Sequence, residues 1–288
     1  MTPPMTAPAP TLIVGCGDIG RRVASRLIAR GQAVRGQVRS APSASDLAIA
    51  GIAPLQRDLD TDAIDDGAAD VFWFAPPPNA GTGDPRLRRW LAVNRPRRIV
   101  YISTTGVYGD CAGRWIDESE SLKPQTDRGR RRLDAELALA EHAQRHGTQI
   151  VILRVPGIYG PGRLPIARLQ AGHAVIEERE SPPTNRIHAE DLAEVAVAAM
   201  QRGVAGLAYN VGDGSPTTMT DYFCRCAALL GLPEPQRISL AEAHRRFTPA
   251  MLSFLDESKR LLTDRMRREL GVIPRYPDLA TGLPSCLD

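Results

Sequence analysis

Hydrophobic positions along the chain fall into two alternating patterns. Short apolar runs predict β-strands, and the runs at 71–75 and 150–153 are almost continuously apolar, as expected for parallel strands that are buried on both faces. Segments with apolar residues at helical spacing lie between these runs. The pattern predicts strands over 11–15, 33–38, 71–75, 98–103 and 150–155, and helices over 18–30, 84–94 and 129–146. This alternation favours an α/β fold with a doubly wound parallel sheet.

The first strand runs directly into a glycine-rich turn, TLIVGCGDIG at 11–20. In a G-x-G-x-x-G turn between a strand and a helix, Gly15 allows the sharp turn, Gly17 the close approach of a pyrophosphate, and Gly20 the packing of the helix on the sheet. The free N–H groups and the dipole at the start of the helix favour bound phosphate. The turn therefore predicts dinucleotide binding. The alternative is a βαβ unit whose glycines serve packing alone.

The chain changes character after residue 156, where loops, prolines and short helices replace the regular alternation. Helices are predicted over 189–202, 218–231 and 256–270. We expect residues 11–156 to form the dinucleotide-binding domain, and residues 157–288 to form mainly a small C-terminal substrate lobe, with 187–211 returning to the first domain. Residues 1–10 contain neither a basic nor an apolar segment, which predicts a disordered tail rather than a signal peptide.

Composition narrows the classes of partner. The 288 residues carry a net charge of +3, and no apolar run approaches the ~18 residues of a membrane span, so neither nucleic acid nor a membrane is an expected partner. Five scattered cysteines, and His142 and His146 without a third ligand, predict no metal site. The expectations that remain are a small-molecule substrate, a cytoplasmic location, and a monomer or homodimer. Almost all basic residues are arginines, since lysine occurs only at 123 and 259.

The end of the second strand indicates which dinucleotide is bound. NAD-specific sites place Asp or Glu there against the ribose 2′-hydroxyl, whereas an arginine suits the 2′-phosphate of NADP. Here the strand ends with Val38-Arg39-Ser40, and no carboxylate follows before Asp46. Arg39 and Ser40 therefore predict NADP as the cofactor, with NAD as the alternative if Arg39 is only a surface residue.

Four further motifs follow in a fixed order. They are IVYISTTGVYG at 99–109, LRVPGIYGPG at 153–162, NRIHAEDL at 185–192 and YNVGDG at 209–214. In this order they resemble the extended short-chain dehydrogenase/reductases, the NAD(P)-dependent epimerase/dehydratase family. The resemblance covers nearly the whole chain from residue 11 and implies a Rossmann fold with oxidoreductase or epimerase activity.

The resemblance implies roles for particular residues. Thr104 matches the hydroxyl that hydrogen-bonds the substrate oxygen in the family; the alternative is a strand-end threonine favoured by β propensity. The implied cofactor contacts are Gly15, Gly17, Asp18, Ile19 and Gly20 at the pyrophosphate, Arg39 and Ser40 at the 2′-phosphate, Asp58 and Leu59 at the adenine, Ala75 and Pro76 along the cofactor, and Pro156 at the nicotinamide.

The chain departs from the family at its acid–base pair. The family has a tyrosine that exchanges the proton and, four residues later on the same helix face, a lysine that binds the ribose. Here Arg128 and Arg132 occupy these two positions. Arg132 can still donate hydrogen bonds to a ribose, but Arg128 cannot replace the phenol because a guanidinium stays protonated near neutral pH. The sequence therefore predicts an atypical member of the family.

Two functions remain open. The first is an oxidoreductase or epimerase acting on a small carbonyl or hydroxyl compound, such as a sugar nucleotide, with Tyr108 or Tyr159 as the substitute proton donor. The second is a non-catalytic NADP(H)-binding redox sensor or regulatory module, in which both tyrosines are loop aromatics. The four arginines within 128–132 predict either a solvated helix start or an anion bound nearby.

Overall fold

Seven parallel strands form the central sheet. The computed structural model describes residues 10–62, 65–252, 255 and 257–287, so the predicted tail lies outside the described residues except for Pro10. The sheet strands are β1 (Thr11–Val14), β2 (Val34–Val38), β3 (Ala53–Gln56), β4 (Asp70–Trp73), β5 (Arg98–Thr104), β7 (Gln149–Val155) and β12 (Ala208–Asn210). Their order across the sheet is β12-β7-β5-β4-β1-β2-β3. The order reverses direction at β1, so the predicted doubly wound α/β sheet is confirmed.

Helices cover both faces of the sheet. The helices are α1 (Asp18–Ile28), α2 (Ala41–Ile49), α3 (Pro85–Val93), α4 (Asp127–His146), α5 (Ile166–Gln170), α6 (Ala189–Arg202), α7 (Met219–Leu229), α8 (Leu240–Arg246), α9 (Pro249–Leu252), α10 (Asp264–Glu269) and α11 (Leu279–Gly282). Alternate residues of β1 face opposite sides. Ile13 packs with α1 and α6, whereas Leu12 and Val14 pack with α3 and α4. Burial on both faces explains why the strands are continuously apolar.

The polypeptide after residue 156 divides between the sheet and a second cluster. Helix α6 packs on α1, and β12 pairs with β7 at the edge of the sheet. A separate apolar cluster includes Tyr159, Phe223 and Leu279. The short strands here and in the loops are β6 (Trp115–Ile116), β8 (Gly157–Tyr159), β9 (Val175–Ile176), β10 (Pro183–Thr184), β11 (Arg186–His188), β13 (Thr217–Thr218), β14 (Arg237–Ile238) and β15 (Arg260–Leu261).

The sequence pattern missed some elements and misassigned one. Helix α2 and strand β3 were not predicted, because three of the four residues of β3 are exposed and no apolar run marks this edge strand. The predicted helix over 256–270 is wrong in its first half. Residues Arg260–Leu261 are extended and pair with Trp115–Ile116, and the helix begins only at Asp264. Contacts with a distant loop override the local helical pattern here.

A buried ion pair joins the sheet to α4. Arg154 on β7 and Glu136 on α4 are both buried, and Arg154 Nη2 donates to Glu136 Oε2 at 2.9 Å. The Ser103 hydroxyl also donates to Glu136. The second guanidinium nitrogen of Arg154 donates to the Tyr108 hydroxyl at 3.0 Å, and this hydroxyl donates to Asn210 Oδ1 at 2.7 Å. The network connects strands β5, β7 and β12 with the helix that follows β5.

Within the described residues, no helix combines the length and the apolar character needed to cross a bilayer.

Replacing Glu136 with alanine should destabilise the fold strongly, because it leaves the Arg154 charge buried without its partner. We expect a loss of about 3–5 kcal/mol in the free energy of unfolding, measured by urea denaturation. Glu141→Ala, on the same helix but at an exposed ion pair, should cost less than about 1 kcal/mol. Equal effects of the two substitutions would contradict this prediction.

Candidate functional site

The turn after β1 is built so that only glycine fits at its first position. Gly15 has a φ of +78°, and a Cβ placed there would lie 2.4 Å from the backbone nitrogen of Ala75. The Gly15 N–H donates to the side-chain oxygen of Gln37 at 3.0 Å, and the Gln37 amide donates to the Arg57 carbonyl at 2.7 Å. Gln37 therefore ties the turn to the end of β3. No sequence motif identified this residue.

The next positions open towards solvent at the start of α1. A Cβ on Gly17 would meet no atom within 4 Å, whereas Gly20 and Ile19 are buried against the sheet. The Asp18 carboxylate lies between Arg22 and Arg163, with nitrogen–oxygen distances of 2.8 and 2.5 Å. Burial raises the pKa of Asp18, but the hydrogen bonds from these arginines outweigh burial and hold it below its usual value. The space beside Gly17 is therefore free for a group that bonds the helix N-terminus.

The ends of β2 and β3 lie on the same edge of the sheet as this turn. Arg39 is exposed, as expected for a residue that reaches a ligand or solvent. The Ser40 hydroxyl caps α2 by accepting from the Ser43 N–H at 3.3 Å, so it already has a structural use. Asp58 accepts from the Asp60 N–H at 3.0 Å within a local turn, and Leu59 is half-buried beside it.

The ends of β4, β5 and β7 continue this edge into a cleft. Ala75 and Pro76 follow β4, and the Ala75 N–H donates to the Val14 carbonyl at 3.0 Å. Thr104 ends β5, Pro156 follows β7, and both line the cleft. The Thr104 hydroxyl accepts from the Gly106 N–H at 3.2 Å and caps the turn that follows. The structure thus brings the predicted cofactor residues together along one sheet edge that leads to Thr104.

Four charged side chains line the cleft. Three are cationic and one is anionic: Arg128, Arg186, Lys259 and Glu257. Arg186 is buried, stacks over the Tyr222 ring at 4.2 Å, and donates to the Thr184 hydroxyl at 2.8 Å. Burial lowers the pKa of Arg186, and no carboxylate of the described residues pairs with it at salt-bridge distance. The cleft therefore attracts an anionic group.

The two tyrosines considered as substitute proton donors direct their hydroxyls elsewhere. Tyr108 is buried within the Arg154 network, outside the cleft lining, and burial raises its pKa to about 12. Tyr159 borders the cleft, but its hydroxyl donates to the Asp278 carbonyl at 3.3 Å. Neither position suits proton transfer to a molecule in the cleft. The Tyr108 phenol is hydrogen-bonded to Arg154 and Asn210, so Tyr108 is not proposed as the proton donor.

Arg132 lies beside β5. Its guanidinium donates to the Ile102 carbonyl at 2.6 Å and to the Tyr101 hydroxyl at 3.2 Å. These bonds hold the cation near the carboxyl end of β5, next to the edge that carries the glycine turn.

Sequence reasoning missed the C-terminal segment that completes the cleft. Segment 257–262 includes β15, and the Ser258 carbonyl accepts from the N–H groups of Cys111 and Gly113 at 3.0 and 3.1 Å. Asn185 donates to the Lys259 carbonyl and accepts from the Leu261 N–H, each at 2.9 Å. The one available signal was a lysine in a chain whose basic residues are nearly all arginine. The described residues contain no group of three or more potential metal ligands.

The sheet topology and the glycine turn define a dinucleotide-binding α/β fold. The family model for the NAD dependent epimerase/dehydratase family matches residues 81–212. The chain belongs to this family, within the extended short-chain dehydrogenase/reductases, and lacks the Tyr-x-x-x-Lys pair.

Three relatives span almost the whole chain. Protein YeeZ of Escherichia coli (strain K12) is 29% identical over 284 residues, covering 92% of this chain and 96% of that protein. A functionally unknown conserved protein from Silicibacter pomeroyi is 31% identical with a TM-score of 0.80, covering 97% of this chain and 98% of that one. A UDP-glucuronic acid 4-epimerase from Bacillus cereus, solved in complex with NAD, has the same fold with a TM-score of 0.75 at 17% identity, covering 96% of both chains.

Asn185→Ala should loosen segment 257–262 without unfolding the sheet. Loss of a hydrogen bond worth about 1.4 kcal/mol would speed amide exchange at Leu261 roughly tenfold in hydrogen–deuterium exchange. The amide of Ile13 in β1 is the internal control and should exchange at the wild-type rate. An unchanged rate at Leu261 would show that Asn185 does not hold the segment.

Proposed function

We propose that this protein binds a nicotinamide dinucleotide along the carboxyl edge of the sheet and acts as an oxidoreductase or epimerase on a small carbonyl or hydroxyl compound in the cleft. The proposal rests on one observation, which is that the glycine turn and the cleft lie along the same edge of the sheet. The open position at Gly17, beside the helix N-terminus, lies on the same edge as Thr104 and the charged cleft. When bound, the dinucleotide supplies or accepts a hydride.

The residues along this edge suit such a cofactor. Gly17 leaves free space for a pyrophosphate at the start of α1, and its own N–H donates to the Gly15 carbonyl at 2.8 Å. The two arginines at Asp18 offset the negative charge of its carboxylate. The proposed contacts are Gly15, Gly17, Asp18, Ile19 and Gly20 at the pyrophosphate, Asp58 and Leu59 at the adenine, Ala75 and Pro76 along the cofactor, Arg132 at a ribose, and Pro156 at the nicotinamide.

NADP is the proposed form of the cofactor. Arg39 directly follows β2 and is exposed, where it can reach a 2′-phosphate, and the next carboxylate along the sequence is Asp46. Ser40 contributes less than the sequence suggested, because its hydroxyl caps α2. NAD is the alternative, and the Bacillus cereus epimerase was solved with NAD.

The substrate is proposed to carry a phosphate or carboxylate group. Arg186 provides a buried cation stacked on Tyr222 at one wall of the cleft, which suits planar, bidentate recognition of such a group. Thr104, at the end of β5, would hydrogen-bond the oxygen that is reduced or oxidised.

A non-catalytic redox sensor is the second candidate function. The presence of Arg128 at the position of the family tyrosine favours it, as does the commitment of the Tyr108 and Tyr159 hydroxyls to other partners. Both functions require dinucleotide binding, and only the first requires turnover. Titration of the protein with NADPH, followed by a carbonyl-reduction assay, separates them.

Gly17→Ala should weaken dinucleotide binding at least about tenfold while changing the free energy of unfolding by less than about 1 kcal/mol. The new methyl group fills the space proposed for the pyrophosphate and meets no protein atom. Calorimetric titration with NADPH and urea denaturation measure the two effects. Gly15→Ala is the contrasting variant and should destabilise the fold itself. Wild-type affinity in Gly17→Ala would refute the proposed pyrophosphate position.

Arg39→Ala should lower the preference for NADPH over NADH roughly tenfold, because a charge-assisted bond to the 2′-phosphate is lost. Dissociation constants for both nucleotides measure the ratio, and the NADH constant serves as the control. A wild-type protein that binds NADH more tightly than NADPH would overturn the NADP assignment.

A further inference from the structure

Lys259 presents an ammonium group to the cleft without a hydrogen-bond partner among the described residues. The residue is only 4% exposed yet lines the cleft with Thr104. Lys259 Nζ lies 3.8 Å from Glu257 Oε2, a separation that forms an ion pair but exceeds hydrogen-bond length. The N–H groups of Lys259 therefore remain available for an oxygen atom of a molecule in the cleft.

Glu257 is held in place from its other side. Its Oε1 accepts from the Thr126 hydroxyl at 3.1 Å, and Thr126 is the residue that caps α4. Helix α4 also carries Arg128 into the cleft. Glu257 therefore offsets the charge of Lys259. Its carboxylate is hydrogen-bonded to the start of α4, the helix whose Arg128 matches the family's tyrosine position.

The groups around Lys259 allow its amine to exchange a proton. Burial is the largest effect and lowers the pKa of Lys259 below its ordinary value of 10.5; Arg128 acts in the same direction. Glu257, Asp110 and Cys111 act against burial and favour the ammonium. A buried lysine can release and regain a proton near neutral pH, which a guanidinium cannot. This difference separates Lys259 from the arginines of the cleft.

We infer that Lys259 is the proton-transfer residue of this site, with Glu257 as its positioning residue, in place of the absent phenol. The inference rests on the proposed function. In the reduction direction, the carbonyl carbon accepts a hydride from the reduced dinucleotide, and the C=O π electrons move to the oxygen. The Lys259 ammonium gives one proton to this oxygen: an N–H bond breaks and an O–H bond forms. The neutral amine then regains a proton from water.

Two substitutions separate proton transfer from charge. Lys259→Met removes the amine, and Lys259→Arg keeps the positive charge but cannot release a proton. With NADPH and 4-carboxybenzaldehyde as the anionic carbonyl probe, both should lower kcat about 100-fold or more. The NADPH dissociation constant should stay within about twofold of wild type. Lys123→Arg is the matched control, since Lys123 is exposed and is the other lysine of the chain.

A titration that needs no turnover provides the second readout. In protein labelled with [ε-¹³C]lysine, only Lys123 and Lys259 give signals, and Lys123→Arg leaves the signal of Lys259 alone. Its midpoint should lie below 10.5, and Glu257→Gln should lower it further because a neighbouring negative charge is removed. The basic limb of the kcat/KM profile should move to lower pH in the same variant.

The outcomes separate failure of this inference from failure of the proposed function. Wild-type protein that binds no NADPH overturns the proposed function. Tight NADPH binding without reduction of the probe favours the sensor and overturns the inference, as does full activity in Lys259→Arg. A Lys259 midpoint at or above 10.5, unaffected by Glu257→Gln, also overturns it. Loss of activity in both Lys259 variants with the shifted midpoint supports it.

Discussion

The buried ion pair between Arg154 and Glu136 is the constraint on which the site depends. A charged pair in the interior is tolerated only where its remaining hydrogen-bonding groups are satisfied, and here Ser103 and Tyr108 satisfy them. The pair fixes α4 against β5 and β7, and α4 in turn sets the position of Arg128 at the cleft. The hydroxyl of a loop tyrosine, Tyr108, is used in this network. The Tyr108 phenol completes the coordination of Arg154 and therefore cannot serve chemistry at the surface of the cleft.

The electrostatics of the cleft follow from this arrangement. The charged side chains of the cleft are three cations and one carboxylate, while the Tyr108 and Tyr159 hydroxyls bond to other groups. Several like charges in a confined space repel one another, which raises the free energy of the site without a ligand. Glu257 lowers this free energy through its ion pair with Lys259, and an anionic ligand would lower it further. Burial, aided by the charge of Arg128, lowers the pKa of Lys259, whereas Glu257 raises it.

Sequence patterns predicted the parts of the molecule that are governed by local physics. The apolar runs identified the buried strands, because a strand that is buried on both faces needs apolar residues at every position. The glycine turn located the sheet edge at Gly15 and Gly17, because a close approach of the backbone requires glycine. Strand β3 has no apolar run that could identify it, since it lies exposed at the edge of the sheet. Segment 257–262 was mistaken for helix because its conformation comes from bonds to Asn185 and to the loop at 110–116, about 75 and 145 residues away in sequence. Lys259 and Glu257 could not be recognised until that pairing was known.

Lysine and arginine differ in their ability to exchange a proton near neutral pH, and this difference bears directly on the chemistry of the site. The chain places arginine at most of its 36 basic positions, including Arg128 and Arg132, which the family resemblance matches with the tyrosine and lysine of the acid–base pair. An arginine can hold a ribose or a phosphate, so the exchange at Arg132 preserves a binding role. It cannot take part in proton exchange, so the exchange at Arg128 removes a chemical role. A site that retained turnover would need that role filled by a group of lower pKa that enters the cleft from another element. The segment carrying Lys259 belongs to the C-terminal part of the chain, and its backbone is hydrogen-bonded to Asn185. Its position is set by these bonds together with the bond from Thr126, at the start of α4, to Glu257.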